Sequence, residues 1–238
     1  RELYASEAIE EKLNDYLGRA LAGEPLAYIL GEWSFYGLPF IVTPDVLIPR
    51  DDTMAVTELA IEAARTYPAP QPVLDLCTGS GCIGLALAHS VESARVTLAE
   101  ISEPALRVAK QNTANLRLKN RVTAFSVDVL QPAPKFLGQF DLIVSNPPYV
   151  TTKEMATLDV SVWAYEPHLA LEGGEDGLDF YRLIAEKIVP TLASGTQLLL
   201  EIGDEQGRAV QNLFATCKNV QVRQDIYGKD RILIATVA

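Results

Sequence analysis

The stretch LDLCTGSGCIGLALA, residues 74–88, decides the fold. An apolar run stops at a short glycine-rich turn, then apolar and helix-forming residues resume. That order reads as a strand, a turn and the start of a helix. Gly79 and Gly81 let the backbone come close to a ligand, and the helix N-terminus offers unpaired N–H groups to it. The spacing is read as short of a full G-x-G-x-x-G, and no Gly-Lys-Ser/Thr follows, so the turn is not read as a phosphate-gripping P-loop either.

The next strand, RVTLAE (95–100), ends in Glu100, nineteen residues after Gly81. A carboxylate there can accept hydrogen bonds from both hydroxyls of a ribose. A solvated strand-end acid is the bland alternative. The third strand, RVTAFSV (121–127), leads to Asp128, which is placed to accept from the exocyclic amine of a nucleoside base or to cap a turn. The fourth, FDLIVS (140–145), runs directly into NPPY, residues 146–149. Two prolines at the end of a buried strand give up two backbone donors. In doubly wound sheets the first and fourth strands lie side by side at the switch point, so NPPY and the glycine turn share one crevice. Asn146 offers an amide oxygen and Pro147 a carbonyl of fixed direction. Together they can grip both hydrogens of a planar NH₂ group, on which Tyr149 can stack.

Farther out, TQLLLEI (196–202) gives a fifth strand, and helices are predicted over 81–90, 103–117, 177–189 and 204–216. This alternation predicts a parallel sheet with helices on both faces. VQVRQDI and RILIATV, joined by YGKD, close it with an antiparallel hairpin. Upstream, residues 6–22 read as an amphipathic helix with Ile9, Leu13, Leu17 and Leu21 on one face, Ser6 as N-cap, and Gly23 and Pro25 as the stop. Residues 27–48 read as β-rich with a hairpin turn at Gly37, and Asp51 or Asp52 caps a helix to about Tyr67. PAPQP (68–72) is a stiff joint, and a domain boundary is placed there.

Of the 238 residues, 48% are hydrophobic and 21% charged, an ordinary globular balance with room for one large core. The net charge of −11 argues against a protein that grips nucleic acid through its phosphates. No apolar run is long enough to span a membrane, and no signal-peptide pattern is present. Cys77, Cys82 and Cys217 form neither a disulfide framework nor a zinc ribbon, and His89 and His168 are far apart, so no metal site is expected and a reducing cytoplasm is.

The motif D-x-x-T-G-S-G (75–81) followed by NPPY resembles the class I S-adenosylmethionine-dependent methyltransferases that act on planar amino groups. The segments 23–53, YEPHLALEGGEDGLDFYR (165–182), LLLEIG (198–203), Gln206-Gly207 and YGKDR (227–231) further resemble the peptide chain release factor glutamine methyltransferases. The likeness runs over nearly the whole chain. It implies a Rossmann-like seven-stranded methyltransferase sheet ending in an antiparallel hairpin. It divides the chain into a remnant of a helical substrate-binding domain (1–26), a connecting β-hairpin and helix (27–70) and the catalytic domain (71–238). It implies S-adenosyl-L-methionine as cofactor, bound by Asp75, Cys77, Thr78, Gly79, Ser80, Gly81, Glu100, Asp128, Val129 and Asn146. Asn146, Pro147 and Tyr149 would be catalytic, with Pro148 joining them in binding substrate. The implied activity is N5-methylation of the glutamine in the Gly-Gly-Gln loop of class I release factors by a monomeric cytoplasmic enzyme that does not bind nucleic acid directly. DLCTGSGC is also similar to the sister family that methylates a glutamine of a large-subunit ribosomal protein, and a nucleic-acid amino-methyltransferase is the further alternative. Three departures stand out: Cys77 where the family has a glycine, Glu100 where it has Asp, and RDDT at 50–53 where it has a proline and a glutamate. Glu166 is read as closing over the site or holding the 150–175 loop, with a structural cap as the alternative. Arg50 is read as pairing with a local acid, the bland reading being a surface ion pair. Trp33, Phe35 and Tyr36 are read as hairpin core, with the active-site mouth as the alternative.

Overall fold

A sheet in the strand order β5-β4-β3-β6-β7-β9-β8 forms the centre of the computed structural model, which describes residues 2–67, 69–128 and 140–238. In chain order the elements are helix α1 (Glu2–Leu21), α2 (Leu26–Leu30), a hairpin of β1 (Glu32–Phe35) and β2 (Leu38–Ile41), and α3 (Thr53–Thr66). Then come β3 (Gln71–Leu76), α4 (Cys82–Ser90), β4 (Ala94–Glu100), α5 (Glu103–Asn115), β5 (Val122–Ser126) and β6 (Leu142–Ser145). Two short turns of helix, α6 (Thr152–Met155) and α7 (Val160–Trp163), precede α8 (Asp179–Leu183), β7 (Gln197–Glu201), α9 (Gly207–Leu213), β8 (Lys218–Gln224) and β9 (Asp230–Thr236). The pairs β3–β4, β4–β5, β3–β6 and β6–β7 are parallel, while β9 runs antiparallel to both β7 and β8. The expected alternation and closing hairpin are therefore both present.

The sheet is covered on two faces, as its unbroken apolar strands require. One core joins α3, α4 and the hairpin to the sheet through Phe40, Val56, Ile61, Val73, Leu85 and Leu98. The other places Leu74, Leu76, Ile143, Tyr181, Leu198 and Phe214 on the opposite side. Asn112 of α5, fully buried, fastens the hairpin to the sheet domain. Its Oδ1 accepts from the Ile41 N–H at 2.8 Å, and its Nδ2 donates to the Ile41 carbonyl at 3.0 Å and the Ser80 carbonyl at 2.9 Å.

Several elements differ from the sequence reading. Helix α1 begins at Glu2, so Ser6 lies inside it and does not cap it. No breaker separates Glu2 from Ser6, and an internal serine is a tolerated helix residue. Residues 26–30 form helix, and 27–30 of these lie in the stretch expected to be β-rich. Pro25 presets the backbone at its start, Gly31 at φ 72° ends it, and the Tyr28 hydroxyl anchors it to the Val46 carbonyl at 2.6 Å. The hairpin turn is at Tyr36-Gly37, both at positive φ, as a two-residue turn matching strand twist demands. Strand β3 begins inside the proline-rich joint, at Gln71. The helix expected over 177–189 is α for one turn only, then widens to a π turn at Ile184–Ile188 and tightens at Val189–Thr191. Pro190 has no N–H to continue the ladder.

Asn112→Ala should lower stability by about 2–4 kcal/mol, because it strands buried backbone groups of Ile41 and Ser80. Urea unfolding checks this; a loss below about 1 kcal/mol would mean the hairpin is held by its apolar contacts instead.

Candidate active site

The register of β3 against β6 sets Leu76 beside Ser145, and the Ser145 hydroxyl donates to the Leu76 carbonyl at 2.7 Å. The next residues of the two strands, Cys77 and Asn146, therefore emerge together at the carboxyl edge of the sheet. They line one cleft with Thr78, Gly79, Ser80, Glu100, Pro148 and Thr53. Its other wall comes from 45–50 and from Pro167, Leu169 and Ala170.

The glycine turn is braced from below. Asp75 lies fully buried, and its Oδ2 accepts from the Thr78 hydroxyl at 2.6 Å and the Gly84 N–H at 2.9 Å. Asp75 is not among the residues lining the cleft; it shapes the turn rather than facing a ligand. Burial pushes its carboxyl up to about 7, against the pull of those two hydrogen bonds. Gly84 completes a G-x-G-x-x-G run over 79–84, which corrects the reading of the spacing as short of that motif. A Cβ on Gly84 would lie 2.8 Å from Asp75 Oδ2 and 2.5 Å from Leu98 Cδ2, so a glycine lets α4 sit directly on the sheet. Cys77 takes φ 55°, a conformation natural to glycine and strained for a side-chain-bearing residue. Burial pushes both the Cys77 and the Cys82 thiols up to about 12, so both stay protonated at neutral pH.

Glu100 bridges the turn to the next helix. Its Oε2 accepts from the Gly79 N–H at 2.9 Å and its Oε1 from the Ser102 N–H at 3.0 Å. Gly81 caps α4 in a left-handed conformation. Asp128 is half-buried after β5 and outside the cleft lining, and Val129 lies outside the described residues.

In NPPY, Asn146 donates from Nδ2 to Thr53 Oγ1 at 3.2 Å, which leaves its amide oxygen as an acceptor. Pro147 and Pro148 are buried, and among the described residues no hydrogen bond to the Pro147 carbonyl is formed. Tyr149 is not in this cleft. Its ring packs with the second core and its hydroxyl donates to Glu201 Oε1 at 3.4 Å, because a buried phenol needs an acceptor. Burial and the adjacent Glu201 raise its pKa. Its backbone is fixed by Gln206, whose Nε2 donates to the Tyr149 carbonyl at 3.0 Å and the Gly177 carbonyl at 3.3 Å. Gly173 and Gly177 stand where a Cβ would strike the backbone of Pro148 and Tyr149, which explains the first and last glycines of EGGEDG.

Sequence reasoning left the cleft wall undecided. Glu166, with its side chain 1% exposed, forms an ion pair with Arg50 and accepts from the Ile48 N–H at 3.2 Å. This staples the 150–175 loop to 45–50. Local sequence gave no signal, since Arg50 and Glu166 are 116 residues apart. Thr53, Glu201 and Arg231 were also missed.

A doubly wound sheet with an Asn-Pro-Pro-Tyr strand end beside a glycine turn defines a methyltransferase of the class I architecture. The family model described as "Methyltransferase small domain" matches residues 54–164. A release factor glutamine methyltransferase of Geobacter sulfurreducens is 43% identical over 91% of this chain and 75% of its own length. One of Moorella thermoacetica is 43% identical over 92% of this chain and 77% of its own. The chain belongs to the release factor glutamine methyltransferase family. Among solved structures, the human methyltransferase 10 domain containing protein shares the fold, with TM-score 0.59 and 15% identity over 84% of this chain and 88% of that one.

Two outcomes are expected. Asp75 has a folded pKa raised from 3.8 to about 7, so the folded state binds the extra proton and stability falls as pH rises between those values. The stability of Asp75→Asn relative to wild type should therefore grow from about pH 4 to about pH 7 and then level off, as read by urea unfolding across that range. Glu166→Ala should speed hydrogen exchange of the Ile48 amide at least ~10-fold, since it leaves Arg50 unpaired and the amide without its acceptor.

Proposed function

We propose that the protein transfers a methyl group from S-adenosylmethionine to the side-chain amide nitrogen, N5, of the glutamine in the Gly-Gly-Gln loop of class I peptide chain release factors. The observation that carries this reading is the adjacency of Asn146 and the glycine turn, set by the β3–β6 register. The cleft fits the cofactor. Gly79 leaves open space where a side chain would stand, Glu100 presents a carboxylate suited to ribose hydroxyls, and Ile101 and Leu47 add apolar wall. Thr78, Ser80, Gly81 and Cys77 shape the turn around it, and Asp128 follows β5, which pairs parallel with β4 beside the cleft.

When bound, S-adenosylmethionine supplies a methyl group already activated by its sulfonium. The chain's task is to present a poor nucleophile. A glutamine amide nitrogen shares its lone pair with the carbonyl. Asn146 Oδ1 and the Pro147 carbonyl accept its two N–H bonds, which polarises them and returns electron density to nitrogen. Pro148 lines the same cleft and stiffens the turn. Tyr149 contributes by anchoring that turn through Glu201 and Gln206. No base is required before transfer, because the nitrogen becomes acidic once alkylated and its proton leaves to water. Among the described residues no helix is long and apolar enough to cross a membrane. The net charge of −11 supports a protein substrate over a nucleic acid.

The test is to incubate the protein with S-adenosylmethionine and a purified class I release factor and read the Gly-Gly-Gln peptide by mass spectrometry. One added methyl group on that glutamine is expected, with Asn146→Ala lowering kcat by about 10²–10³-fold. Methylation confined to a large-subunit ribosomal protein would move the chain to the sister activity. No transfer to either substrate, with cofactor bound, would sink the glutamine reading.

A further inference from the structure

A planar amide calls for a flat wall, and the ring expected to give one is elsewhere. Tyr149 packs with the second core and does not line the cleft. Trp33, Phe35 and Tyr36 do not line it either. Among the described residues the cleft has one aromatic side chain, Phe180. It is half-buried and joins neither of the two apolar cores. A large ring with open area on a cleft has contact to gain from a ligand.

The position of that ring is built. Gly173 and Gly177 seat the chain against the Pro148–Tyr149 backbone. The Asp179 N–H donates to the Gly173 carbonyl at 3.1 Å, and Gln206 Nε2 donates to the Gly177 carbonyl at 3.3 Å. Arg182 pairs with Asp176 and Asp179 across the first turn of α8. Tyr181 is fully buried, and its hydroxyl donates to the Glu201 carbonyl at the end of β7 at 2.8 Å. Successive helix residues point about 100° apart, so Tyr181 held in the core turns Phe180 toward the cleft. Sheet order then arranges the site. Strands β4, β3, β6 and β7 run parallel in that order, and Glu100, the glycine turn, Asn146 and Glu201 follow one another at their carboxyl ends. The glycine turn therefore flanks Asn146 on one side, and the segment carrying Phe180 is tied to the other.

Two carbonyl acceptors, Asn146 Oδ1 and the Pro147 carbonyl, hold a substrate NH₂ by its edge. Such acceptors tolerate a broad range of approach directions, so they fix where the nitrogen sits better than how the amide plane tilts. A methyl group joins an amide nitrogen from above that plane, through the lone pair shared with the carbonyl. The opposite face of the amide is the one that needs support. We propose that Phe180 is a substrate-contacting residue for methyl transfer: its ring supports the outer face of the target glutamine's amide, keeps the other face toward the glycine turn, and excludes water. The assignment rests on the glutamine methyltransferase reading above. An aromatic face also attracts a cation, and a sulfonium is one, so the affinity for cofactor separates the two uses of the ring.

The experiment is single-turnover methylation of a purified class I release factor at saturating S-adenosylmethionine, with cofactor Kd and melting temperature measured on each variant. A second readout needs no turnover. It compares binding of the release factor, and of the same factor with its Gly-Gly-Gln glutamine replaced by alanine, to protein loaded with S-adenosylhomocysteine. Phe180→Leu keeps apolar bulk and removes the flat ring, and should slow transfer at limiting release factor about three- to tenfold. Phe180→Ala should slow it about tenfold to a hundredfold. Phe180→Tyr, which keeps the ring, should stay within about threefold of wild type. In Phe180→Leu the binding preference for glutamine over alanine should shrink at least about threefold. Its cofactor Kd should change less than about threefold and its melting temperature less than about 2 °C. A wild-type rate or an undiminished glutamine preference in Phe180→Leu overturns the assignment. So does a loss that appears in the cofactor Kd, which would turn the ring to the sulfonium, or in the melting temperature, which would make it fold packing. Wild-type protein that binds cofactor yet leaves the release factor unmethylated overturns the glutamine reading, and this assignment with it.

Discussion

The parallel pairing of β3 with β6 is the constraint on which the rest of the molecule depends. Its register places Leu76 against Ser145, so the glycine turn and NPPY leave the sheet side by side. Each segment alone is a tight turn after a buried strand. Side by side they make a cleft that can hold a donor and an acceptor of a methyl group. Chain order imposes this, because the sheet grows to one side through β4 and β5, then returns to the other side of β3.

Around that pairing, buried polar side chains hold loops where apolar packing could not fix them. Asp75 ties the two ends of the glycine turn, and Asn112 ties the hairpin to it. Gln206 fixes the backbone of Tyr149, and Glu166 pulls the 150–175 loop onto 45–50. Apolar contacts are non-directional, whereas a buried hydrogen bond specifies one geometry and is costly to leave unmade. The site therefore has a polar frame set inside two apolar cores. The same logic accounts for the strain at Cys77, where a left-handed backbone persists without the glycine that suits it.

The alternating strands and helices were legible because apolar runs, glycine turns and caps are local. Ser102 caps α5 with Pro104 in its first turn, and the YGKD turn closes the β8–β9 hairpin. The helix at 26–30 was not legible. Its residues suit either state, and Tyr28 packing against Val46 decides between them. Asn146 and Glu100 could be singled out because their residue types match their chemistry. Tyr149 was assigned to the cleft from its proximity in sequence, yet the partner its hydroxyl needs, Glu201, is on the far side of the turn.

The sequence by itself determined the layered α/β architecture, the two strand ends that meet, the kind of chemistry an Asn-Pro-Pro-Tyr end can perform and the family. These follow from periodicity, backbone stereochemistry and residue type, which a chain carries wherever it folds. Only the tertiary structure decided which side chains face the cleft, that Arg50 finds Glu166, and that the Asn146 amide donates to the Thr53 hydroxyl. Those partners lie 93 to 116 residues apart. Hydrogen bonds and ion pairs act over a few ångströms of space, and sequence distance does not record that separation.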